Sequence, residues 1–147
     1  MTRAGAVLAP LLAVLVAGCG SAELSDIQLR NRATRLCSTA NRQADRIVTP
    51  ATPSAAVAYL DRGIAVFRPE LARLRKLMPP SDLATVYRTS VGAFSQELSE
   101  LELTVHKLHG GADPVSAMRT LERHLAPLEA TEDRAWTSLH VPACVDR

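Results

Sequence analysis

Between residues 57 and 78 the apolar side chains Val57, Leu60, Ile64, Phe67, Leu71, Leu74 and Met78 recur three and four positions apart. That spacing keeps one face of an α-helix against a partner helix. A strand cannot use it, because strand side chains change face at every residue. Pro69 falls inside the run and predicts a kink, since its ring removes one backbone bond and crowds the preceding turn. The register continues past it, so the segment reads as one helix that needs other helices to cover its apolar face.

The rest of the chain supplies them. Leu29, Ala33, Leu36, Cys37, Ala40, Ala44 and Ile47 mark one face of a helix over residues 23–48. Leu83, Tyr87, Val91, Phe94, Leu98, Leu101, Val105 and Leu108 mark a third helix, and Val115, Met118, Leu121, Leu125, Leu128 and Ala135 a fourth. Pro127 predicts a second kink. The breaks carry turn and capping chemistry. "TPATPS" offers Thr52 or Ser54 as a cap, and "MPPSD" offers Ser81 or Asp82. "HGGADP" ends one helix at Gly110 and Gly111, caps the next with Asp113 and starts it with Pro114. Short connections force neighbouring helices to run antiparallel, which predicts an all-α, four-helix up-down-up-down bundle over residues 23–147.

The first twenty residues carry a different signal. Arg3 precedes an apolar run from Ala4 to Ala17, about 14 residues where a membrane span needs about 20. Such a run is the core of a secretory signal peptide. It ends in Val16, Ala17, Gly18 and Cys19, which resembles the lipobox of bacterial lipoproteins. The resemblance implies that residues 1–18 are a cleaved signal peptide and that Cys19 receives a diacylglyceryl group. Residues 19–22 would then be a short lipidated tether. Each buried methylene contributes about 0.8 kcal/mol and stable attachment takes two acyl chains, so a diacylated Cys19 suffices as an anchor. The alternatives are an ordinary signal peptide with a cysteine near its cleavage site, or a buried apolar helix. The lipoprotein reading puts the domain at the outer face of the cytoplasmic membrane, where two remaining thiols meet oxidising conditions. Cys37 and Cys144 are therefore expected to pair, the alternative being two separately buried thiols.

Without residues 1–18 the chain has 16 basic and 15 acidic residues, and rings make up 3% of the sequence. Neither feature suits nucleic acid, which needs a concentrated basic face and stacking aromatics. Arg32, Arg35, Arg42 and Arg46 gather opposite the apolar stripe of the first helix and are candidate contacts for anionic head groups, with a plainly solvated helix face as the alternative. His106 and His109 have a chelating spacing, with His124 and His140 in reserve, but no HExxH or CxxC accompanies them, so no metal is expected. Glu97, Glu100, Glu102, Glu129, Glu132 and Asp133 read as solvated charges flanking apolar stripes. No GxSxG or phosphate-cradling glycine loop occurs.

Cys37 with Ala40 and Asn41, the stretch from Leu71 to Leu74 leading to Pro79 and Pro80, and the terminal Pro142 to Cys144 resemble features of small uncharacterised actinobacterial lipoproteins. That resemblance implies the helical fold and the bridge, and no activity. The expected function is a non-catalytic binding or structural module, with no cofactor beyond the lipid on Cys19 and with the membrane and an unidentified protein as partners. A small-ligand or lipid carrier, using a cavity between kinked helices, is the alternative.

Overall fold

The computed structural model describes residues 23–145; the expected signal peptide and Cys19 lie outside them. The described chain is all-α, with four helices and no strand among these residues. No described helix is long and apolar enough to cross a membrane.

Helix α1 spans Asp26–Ala44. Ser25 and Gln28 form a reciprocal capping box: the Gln28 N–H donates to Ser25 Oγ at 3.3 Å and the Ser25 N–H to Gln28 Oε1 at 3.0 Å. Two of the orphan N–H groups at the helix start are thereby satisfied. Leu29, Ala33, Cys37 and Ala40 form its buried stripe. The helix stops before Val48, where the periodicity had extended it. Tight turns at Arg46 and Ile47 close it, and Pro50 disfavours helical geometry at Thr49.

Helix α2, Ala56–Leu74, grows out of a tight turn at Pro53–Ala55. Thr52 and Ser54 do not cap it; their hydroxyls bond each other at 3.0 Å. Pro69 is exposed and α2 continues through it. Met78, assigned to the apolar seam from its spacing, is instead 45% exposed, because the helix has ended four residues earlier. Helix α3, Ala84–His109, follows a turn closed by the Leu83 N–H on the Pro80 carbonyl. Neither Ser81 nor Asp82 caps it.

The α3 end behaves as its glycines predict. Gly111 adopts φ 88°, and the Gly111 and Ala112 amides return to the Leu108 and Lys107 carbonyls, which satisfies two carbonyls left open by the helix. Asp113 then caps α4, Pro114–Ser138, by accepting the Ser116 N–H at 2.8 Å. Helix α4 also runs through its proline, Pro127. Val115 is 43% exposed rather than internal, since the first turn of α4 extends beyond the core. At the other end His140 takes the left-handed conformation, φ 56°, and the Val141 N–H bonds to the Trp136 carbonyl. This reverses the chain.

The reversal settles how the cysteines meet. Cys37 lies 11 residues into α1, so either the start of α1 had to project as a stem or the chain end had to run back along it. The second holds: Val141 and Cys144 are buried, and the turn Pro142–Cys144 packs on α1. Among the described residues no stem projects, because Leu24 and Leu29 are themselves buried.

Helix α3 packs on both α2 and α4, and α1 packs on α2. The main core joins Leu29, Cys37, Leu74, Tyr87, Phe94 and Trp136 at the end where the described chain begins. Phe67 meets Phe94 and Tyr87 meets Trp136 edge to face, with centroids 6.0 and 5.7 Å apart. A smaller cluster of Ala56, Leu60, Leu108 and Leu121 closes the opposite end. Residues 23–145 thus contain both apolar clusters and the cysteine pair.

Candidate functional site

Where the described chain begins, the backbone is fixed. The Leu24 N–H donates to the Met78 carbonyl at 2.8 Å, which seats residues 23 and 24 against the loop after α2. Two grooves flank that loop and share Leu77 and Met78. One, of about 300 Å³, includes Glu23, Arg32 and Lys76. The other, of about 680 Å³, includes Arg75, Arg88, Pro79 and Val91. Arg75 donates to Ser95 Oγ, and Arg88 lies 3.4 Å from Thr85 Oγ1. The result is an amphipathic surface: exposed Met78 and the loop prolines, rimmed by Arg32, Arg75, Lys76 and Arg88, with the carboxylates Glu23 and Asp82 also exposed. The loop residues Arg75 and Lys76 were not singled out from sequence, because a helix seam drawn through Met78 hid the loop that presents them.

Of the four candidate arginines, three lie on α1 and one beyond its end. Arg32, Arg35 and Arg42 are exposed on α1, and Arg42 donates to Thr39 Oγ1 at 3.2 Å. At 1.5 Å rise per residue Arg42 lies roughly 15 Å along the axis from Arg32. Arg46 lies past the end of α1. Of the four, Arg32 lines a groove beside the chain start.

Cys37 and Cys144 are buried at disulfide distance, their Cα atoms 5.2 Å apart. Beside them Trp136 Nε1 donates to Glu132 Oε1 at 2.7 Å, both groups buried. Glu132 was assigned to the solvated face from its position among other acids; the structure corrects this, because the indole N–H next to the bridge requires an acceptor. Glu70, which carried no signal in the sequence, is buried as well. The Tyr87 hydroxyl donates to the Leu74 carbonyl at 2.8 Å, and burial pushes its phenol well above the ordinary value of 10.0. The Asp113 carboxyl is held below its ordinary value of 3.8, first by the Ser116 backbone N–H, then by the Ser116 side chain, with a further contribution from the Arg119 charge.

Most of the remaining polar candidates lie on the surface. His124 Nδ1 meets Glu100 Oε2 at 2.9 Å and Arg68 meets Glu102 at 2.8 Å. His106, His109 and His140 are exposed, as is Glu129; Asp133 is half-buried. Among the described residues no three His, Cys, Asp or Glu side chains group as metal ligands would.

A cavity of about 310 Å³ opens between all four helices toward the end of α1. Its apolar wall includes Leu60, Phe67, Leu101, Leu121 and Leu125; its charged residues are Glu97, Glu122 and Glu129, with no Lys, Arg or His. The carrier alternative puts a cavity between helices kinked at the two prolines, yet neither Pro69 nor Pro127 lines this one. The space lies beside Gly63, where a Cβ would meet no atom within 4 Å. A glycine within the α2 seam was therefore the available signal. Comparison with family models, with curated proteins and with solved structures finds no match to this chain.

Proposed function

We propose that this chain is an extracytoplasmic lipoprotein, a non-catalytic binding or structural module held at the outer face of the cytoplasmic membrane. In this reading residues 1–18 are the cleaved signal peptide and diacylated Cys19 is the anchor. Residues 19–22 tether the up-down-up-down bundle of residues 23–147. The observation that carries it is the Leu24 to Met78 backbone bond. It holds residues 23 and 24 in the same region as Arg32, Arg75, Lys76 and Arg88, which supports a reading in which the end nearest the lipid is the basic, amphipathic one. Each Lys or Arg near an anionic surface contributes about 1 kcal/mol. Four cations opposed by Glu23 and Asp82 leave roughly 2 kcal/mol, enough to orient the domain and too little to hold it without the lipid. The Cys37–Cys144 pair suits the oxidising side of that membrane.

Flotation of the Cys19→Ser chain lacking residues 1–18 on lipid vesicles tests the orientation. Weak binding is expected to anionic vesicles and not to zwitterionic ones. It should fall when Arg75, Lys76 and Arg88 are replaced by Gln and persist when Arg42 and Arg46 are. The reverse pattern contradicts the reading.

The four-helix cavity favours a second reading, a carrier of a small apolar ligand. Its volume of about 310 Å³ sits at the lower end of the roughly 300–1,000 Å³ typical of ligand sites.

A further inference from the structure

The cavity also has a sign. Building on the carrier reading, we propose that it takes a singly cationic amphiphile, an alkyl or arylalkyl amine, with its body between the helices and its ammonium group at the mouth. The volume of about 310 Å³ holds on the order of ten heavy atoms at the ~30 Å³ that a water occupies in the liquid. Leu60, Phe67, Leu101 and Leu121 supply the apolar wall.

The charges at the wall are all negative. Glu122 and Glu129 lie two turns apart on α4, on either side of Leu125, and both are exposed; Glu97 reaches the wall from α3. The two arginines of α2 in this stretch are engaged elsewhere: Arg62 Nε donates to the Ala58 carbonyl at 2.9 Å and Arg68 pairs with Glu102. A cationic head at the mouth is attracted by two carboxylates, and the lining includes the aromatic residues Tyr59 and Phe67. An anionic head meets like charge beside apolar walls, where screening by water is reduced. A polar uncharged ligand leaves the apolar wall without a partner.

Calorimetric titration of the Cys19→Ser chain lacking residues 1–18, with decylammonium and with decanoate, each below its micelle concentration, tests this. Decylammonium should bind one to one and roughly tenfold or more tighter than decanoate, a difference of about 1.4 kcal/mol or more. Glu122→Gln with Glu129→Gln should remove the preference. Gly63→Leu should abolish binding while circular dichroism stays helical, because Gly63 is helical with open space at its Cβ and leucine is the better helix former. Equal binding of both amphiphiles, blocked by Gly63→Leu, overturns the charge preference and leaves the carrier reading standing. No binding of either overturns both. Decylammonium binding that survives Gly63→Leu places the ligand on the acidic surface and overturns the cavity assignment.

Discussion

Asn41 Nδ2 donates to the Ala143 carbonyl oxygen at 3.0 Å, joining residues 102 positions apart. One helical turn earlier on α1, Cys37 meets Cys144, 107 positions away. Residues 143 and 144 therefore meet α1 at two adjacent points, a cysteine pair at disulfide distance that we propose is bridged and an amide hydrogen bond, and these differ in what they stabilise. The bridge acts mainly on the unfolded chain, where closing a loop of about 100 residues is worth up to about 4.7 kcal/mol in the chain-entropy model. The amide acts on the folded state, where a net hydrogen bond contributes about 0.5–1.5 kcal/mol.

Replacing both Cys37 and Cys144 by Ser should accordingly lower unfolding stability by roughly 2–5 kcal/mol. Asn41→Ala should cost about 1 kcal/mol and speed amide exchange at Val141, Ala143 and Cys144 without affecting α3. Urea denaturation and hydrogen exchange on the same samples separate the two. Equal losses from both changes would mean that the bridge contributes little beyond local packing.

The buried indole of Trp136 and the carboxyl of Glu132 are bonded at 2.7 Å. Removing one partner of such a pair leaves a buried polar group unsatisfied, at about 1–3 kcal/mol. Trp136→Phe should lose at least that, since it also shrinks the edge contact with Tyr87. Glu132→Gln keeps an acceptor oxygen and should lose less, and Glu132→Leu more than Glu132→Gln. Thermal melts followed by far-ultraviolet circular dichroism rank the three.

Two groups give stability a dependence on pH, with opposite signs. The Tyr87 phenol titrates above its ordinary value of 10.0 in the folded chain, so its contribution is complete below pH 10 and is lost as pH rises further. The Asp113 carboxyl titrates below its ordinary value of 3.8; its contribution is present above that pH and is lost as pH falls through the lowered value. Tyr87→Phe should flatten the alkaline limb of a stability profile measured by denaturant titration. Asp113→Asn should flatten the acid limb.

Much of this fold is legible in the spacing of apolar residues. The stripe from Tyr87 to Leu108 on α3 lies inward throughout, because it is long and uninterrupted and a single period describes it. At element ends the period misleads. Met78 and Val115 continue their stripes in sequence, but helix end and core end do not coincide, and both side chains meet water. Glu132 was illegible for another reason: a buried carboxylate is marked by the donor it serves, and Trp136 is recognisable as that donor only once α4 is known to face the bridge. The trace of the cavity in the sequence is a missing side chain, at Gly63, and not either proline. Pro69 and Pro127 are exposed and do not line the four-helix cavity, since a proline ring on the solvent side lets a helix continue with its core face intact.

Acylation of one thiol is what the proposed membrane attachment requires, and intact-mass analysis of the polypeptide isolated from its native membranes measures it. The expected mass is that of a chain beginning at Cys19 with a diacylglyceryl group attached and with Cys37 and Cys144 oxidised. A chain that begins at another residue, or that begins at Cys19 and carries no acyl mass, contradicts it.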